Sequence, residues 1–122
     1  MKLARKQFEE IVAEALDELP DEIAEAMTNV FVVVEEWPSR EILEDMEISN
    51  RYELLALYQG IPLTDRNTSY TALPDKITIF QGPLEALGGS QRELKKHIKK
   101  SVVHEIAHHF GVDDERIREL GY

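Results

Sequence analysis

The chain of 122 residues contains no cysteine, which excludes disulfides, thiolate zinc sites, iron–sulfur clusters and cysteine nucleophiles. Any transition-metal site must therefore be built from His, Asp or Glu. Long apolar runs are missing too. The longest strongly apolar stretch, Val30 to Val34, is five residues, against the ~20 needed to cross a bilayer. The opening Met-Lys-Leu-Ala-Arg-Lys lacks the apolar segment of a secretory signal, so the expected location is the cytoplasm and no membrane partner is expected. Positive charge is scarce: 24 acids face 14 bases, for a net charge of −10. The deficit lies in residues 1–60, with 15 acids and 5 bases, whereas residues 61–122 hold 9 of each. An acidic chain is a poor phosphate-backbone binder, so no nucleic-acid partner is expected.

What is present is ordinary globular composition, 43% hydrophobic and 31% charged, over a length suited to one domain spanning residues 1–122. Leu3, Phe8, Ile11, Val12, Ala15, Leu16 and Leu19 recur at helical spacing and predict an amphipathic helix stopped by Pro20. A second short helix is expected from Asp21 to Met27, and one or two turns from Arg40 to Met46. Asn29–Trp37 and Leu54–Gln59 read as strands. Lys76–Phe80 alternates polar and apolar like a half-buried strand, terminated by Gln81-Gly82-Pro83 before a short helix over Leu84–Leu87. Between the last two strands, residues 64–75 read as a polar loop.

The strongest helical signal runs from Gln91 to Phe110. Ser90 and Glu93 stand at capping-box spacing, Val102, Val103, Ile106 and Phe110 form an apolar stripe, and Gly111 ends the helix. A last short helix is expected from Asp113 or Asp114 to about Leu120. All four histidines, His97, His104, His108 and His109, fall within thirteen residues of this region.

Within that helix lies His104-Glu105-Ile106-Ala107-His108, the HExxH pattern. Positions i and i+4 share a helix face one turn apart, so both imidazoles can reach one ion. Glu105, about 100° round the helix, is placed to reach a water instead. In a random chain of this composition the pattern arises with a probability of about 0.02, and about 2 × 10⁻⁴ with Gly at +7 and a carboxylate at +10. Gly111 and Asp114 meet both conditions. Three carboxylates stand in a row there, Asp113, Asp114 and Glu115. The +10 spacing selects Asp114, giving a His₂Asp donor set with an open fourth position that suits zinc, and Asp113 is expected to cap the final helix.

With this motif the chain resembles the small bacterial zincin-like metallopeptidases, the minimal zincins carrying HExxHxxGxxD. The resemblance also rests on Leu57-Tyr58-Gln59-Gly60-Ile61-Pro62-Leu63-Thr64 and Ile77-Thr78-Ile79-Phe80-Gln81-Gly82-Pro83-Leu84. It implies an α/β (α+β) zincin-like fold, a small mixed sheet packed with helices. It implies His104, His108 and Asp114 as ligands of a zinc cofactor, Glu105 as general base, and a peptide or protein substrate. The Met-turn of longer zincins is absent, since Met1, Met27 and Met46 all precede the site. Tyr58, Arg66, Tyr70 and Tyr122 are candidate oxyanion donors by chemistry alone, and Lys76–Phe80 is a candidate edge strand for substrate pairing. His109 is expected to support or pack near the site, His97 to line the cleft or surface, and the lysines between 95 and 100 to form a solvated face. The rival readings are an interaction module that retains metal without turnover, and a hydrolase of non-peptide amides. Nothing in the sequence fixes an oligomeric state, and a monomer is the simplest reading.

Overall fold

The computed structural model describes residues 2–60 and 75–122. Helix α1 spans Arg5–Asp17 and α2 Asp21–Ala26, followed by strand β1, Val30–Glu35. Helix α3 covers Arg40–Asp45, a 3₁₀ turn covers Arg51–Glu53, and β2 covers Ala56–Gln59. Strand β3, Asp75–Phe80, runs directly into α4, Gln81–Ala86. The long helix α5, Gln91–His109, and the short α6, Asp114–Glu119, complete the chain. The architecture is α+β, with a three-stranded mixed sheet among the described residues.

The strand order is β1-β3-β2, with β1 parallel and β2 antiparallel to β3. This corrects two expectations. Lys76–Phe80 lies in the central strand and cannot be the pairing edge; among the described residues the edges are β1 and β2. Nor is β3 half-buried, because Ile77 and Ile79 are fully enclosed and Thr78 is only 3% exposed. Each face of this middle strand is covered. Ile77 and Ile79 join the main core with Phe8, Val12 and Ala15 of α1 and Ile98, Val102 and Ile106 of α5. On the other side, Phe80 and Leu57 pack with Leu54, Ile42, Leu43 and Ile48 in a smaller cluster. Alternating polarity signals a half-exposed strand only when a second layer is missing.

Gln81-Gly82-Pro83 does not end structure after β3; it forms the first turn of α4. Proline is tolerated there because its missing N–H would be unpaired in any case. The expected loop 64–75 lies outside the described residues except Asp75, which opens β3.

Helix α5 follows its sequence closely. The Ser90 hydroxyl accepts from the Glu93 N–H (3.2 Å), and the Glu93 carboxylate accepts from the Ser90 N–H (3.3 Å). Leu94, Ile98, Val102, Val103, Ile106 and Ala107 are buried, against α1 above all. Phe110 departs from the expected stripe: it is 48% exposed and stands at the C-cap.

Candidate functional site

With the apolar stripe of α5 buried, the opposite side of the helix presents His104 and His108. Their ring centroids are 5.8 Å apart, one helical turn. His104 is partly buried, whereas the His108 side chain is 62% exposed.

Two left-handed glycines bring the rest of the chain back to this face. Gly111 has φ +76°, with its N–H bonded to His108 O and the Val112 N–H to Ala107 O, which closes α5 and reverses the chain. Helix α6 then starts on Asp113, whose carboxylate accepts from the Arg116 N–H at 2.8 Å. The expected cap is thus Asp113, and Asp114 is free to project from the first turn. Asp114 Oδ1 lies 3.8 Å from His108 Nε2. Gly121, with φ +93°, repeats the device at the end of α6, pairing with Arg118 O while Tyr122 N–H pairs with Ile117 O. The reversal puts the Tyr122 carbonyl oxygen 3.2 Å from His104 Nε2. The Nε2 nitrogen of His104 is therefore engaged by a main-chain oxygen.

Glu105 points to the other side, toward the edge strand β2. Its Oε2 accepts the Tyr58 backbone N–H at 3.3 Å. Burial pushes its carboxyl above the ordinary glutamate value, opposed by the Tyr58 N–H and the neighbouring His108 and His109. Around this contact sits a polar cluster joining β2, β3 and α5. The Tyr58 hydroxyl donates to Asp75 Oδ2 (2.5 Å), and the Tyr58 ring stacks on His109 with centroids 3.8 Å apart. His109 Nε2 lies 4.0 Å from the same Asp75 oxygen, and Phe110 meets both rings edge-on. Burial, and then the Asp75 carboxylate, raise the Tyr58 phenol, so it stays a neutral donor. His109 accordingly packs beside the site, as expected.

The structure brings His108 close to His104 and to Asp114, but the three do not close on a common point. Among the described residues, no group of three His, Asp or Glu stands ready to grip an ion. The chemistry of the donor set nevertheless fits zinc: two imidazoles, one carboxylate and room for water. Of the oxyanion candidates, Arg66 and Tyr70 lie outside the described residues. Tyr58 has given its hydroxyl to Asp75, and Tyr122 reaches the site through its carbonyl oxygen. The Glu105–Tyr58 contact was invisible in the sequence. Its partners are 47 residues apart, and a backbone N–H carries no residue signature.

Comparison with curated proteins finds no match. Residues 27–122 match the family model described as zincin-like metallopeptidase, well over half of the chain.

Proposed function

From the chain's membership of the zincin-like metallopeptidases, we propose that it is a zinc-dependent hydrolase of peptide bonds, with His104, His108 and Asp114 as ligands and Glu105 as general base. The observation that carries this reading is the placement of Glu105. Its partly buried carboxylate stands one residue from His104, anchored by the N–H of an edge strand. When bound, zinc supplies Lewis acidity that lowers the pKa of water toward 7 and polarises a carbonyl.

The protein's own residues do the remainder. His104, whose Nε2 meets the Tyr122 main-chain oxygen, and the exposed His108 and Asp114 would hold the ion, the latter two after side-chain rotation. Glu105 takes the proton of the attacking water and passes it to the leaving amine. The outer edge of β2 offers a place to lay an extended peptide beside Glu105.

The test is Glu105→Gln in zinc-loaded protein. It is expected to retain zinc by metal analysis and to lose at least ~10²-fold in cleavage of a mixed peptide library. Wild-type turnover in the variant overturns the role of Glu105. Zinc binding without cleavage by the wild type favours the interaction module, and cleavage confined to non-peptide amides favours the other rival.

A further inference from the structure

The run of lysines on α5 divides into two pairs. Lys95 Nζ lies 2.7 Å from Glu18 Oε2 and 3.9 Å from Glu14, and Lys99 Nζ lies 3.2 Å from Glu18 Oε1. These two tie α5 to α1. Lys96 and Lys100 have no acidic partner among the described residues, in a chain carrying 24 acids. With Lys99, whose ammonium is already paired with Glu18, they line a cavity of about 500 Å³ that is faced on the other side by Leu120, Gly121 and Tyr122. Tyr122 is the shared wall, since its carbonyl oxygen is the one that meets His104.

We propose that this cavity is a subsite for an acidic side chain, Asp or Glu, of the peptide substrate. The inference rests on the hydrolase reading and adds a substrate class to it. Lys100 precedes His104 by one helical turn, about 6 Å along the axis, and Lys96 by two, about 12 Å. An extended peptide advances about 3.3 Å per residue. A substrate that continues past His104 along the N-terminal side of α5 would bring a side chain one to three residues from the scissile bond to these ammonium groups. The cavity has ample room for a side chain, and its lining is cationic on an otherwise acidic molecule. A carboxylate there gains two charge-assisted contacts, while a neutral amide gains none. The same field works against entry of a basic side chain, so the subsite discriminates by repulsion as well as attraction.

The experiment uses zinc-loaded Glu105→Gln protein, so that peptides bind without turnover, and a series of peptides that differ only in Glu or Gln at successive positions. Calorimetry is expected to show about tenfold tighter binding for the best Glu peptide than for its Gln counterpart, a difference that shrinks with added salt. Adding Lys96→Gln and Lys100→Gln to that protein abolishes the difference. Adding Lys95→Gln, whose ammonium is already committed to Glu18, leaves it intact. Equal binding of Glu and Gln peptides, no binding of either, or a preference that survives the double replacement overturns the subsite. So does tight binding of a single-stranded oligonucleotide through the same two lysines. If wild-type protein cleaves none of the peptides, the hydrolase reading fails, and the binding comparison still decides the subsite on its own.

Discussion

At the scale of single residues, Asp113 and Asp114 are identical side chains in different settings, one capping a helix and the other proposed as a ligand. Asp113 holds the first turn of α6 through the Arg116 N–H, while Asp114 is 79% exposed and faces His108 across 3.8 Å. Asp113→Ala is expected to cost about 1 kcal/mol in a denaturant titration and to leave zinc content unchanged. Asp114→Ala should leave the denaturation midpoint of metal-free protein nearly unmoved, because an exposed side chain off the caps contributes little. Its zinc affinity should fall by a large factor, and Asp114→His should recover part of it, since imidazole is an equally good ligand. Zinc loss in Asp113→Ala with retention in Asp114→Ala would transfer the ligand role by one residue. The Asp113 cap was legible in advance because cap preference is local. The position of Phe110 was not: it keeps the apolar period of α5 but stands where the helix has run past its core.

Among the elements, α5 is where sequence and structure agree best, and the sheet is where they part. The capping box and the Gly111 stop depend on residues close together in sequence, so the chain spells them out. Which strand lies in the middle depends on partners far along the chain, and Lys-Ile-Thr-Ile-Phe says nothing of the layer that covers Thr78 and Phe80. The tie between α1 and α5 was equally hidden, being a contact of Glu18 with two lysines some eighty residues on. The hydrogen bonds from Lys95, then Lys99, hold the Glu18 carboxyl below its ordinary value, and Lys99 is correspondingly raised despite its own desolvation. A carboxyl lowered in the folded state stabilises above its unfolded value, about 4.5, and that contribution disappears as pH falls through the lower folded value. Glu18→Gln should therefore lower the urea midpoint at neutral pH, and the gap from wild type should close in acid, below the ordinary carboxylate range. A gap that stays constant across that range would show that the tie acts through packing and not charge.

For the whole molecule, the question is whether the metal holds the fold or the fold holds the metal. Helix α5 serves both sides, and its two faces are separate. The buried face, from Leu94 to Ala107, packs on α1, α2, α4 and the sheet, and none of the proposed ligands belongs to that core. His108 and Asp114 are mostly exposed and carry almost none of the packing. The reversal that brings α6 back is fixed by Gly111, the Asp113 cap and the burial of Ile117, all independent of an ion. Protein stripped with a chelator should therefore remain folded, with a cooperative thermal transition and unchanged helical content, unlike small domains that fold only on their zinc. Zinc should then raise the transition by mass action, about 2.7 kcal/mol at a hundredfold excess over Kd, or roughly 10 °C for a chain of this length. His108→Ala should keep the metal-free transition close to wild type and lose most of the zinc-dependent rise. Unfolding by chelator alone would mean that the metal supports the fold and that the core is not sufficient without it. An undiminished zinc shift in His108→Ala would place the ion elsewhere on the molecule. The outcome expected from the separation of faces is a stable metal-free fold that zinc tightens at one corner, where α5, α6 and the Tyr122 carbonyl meet.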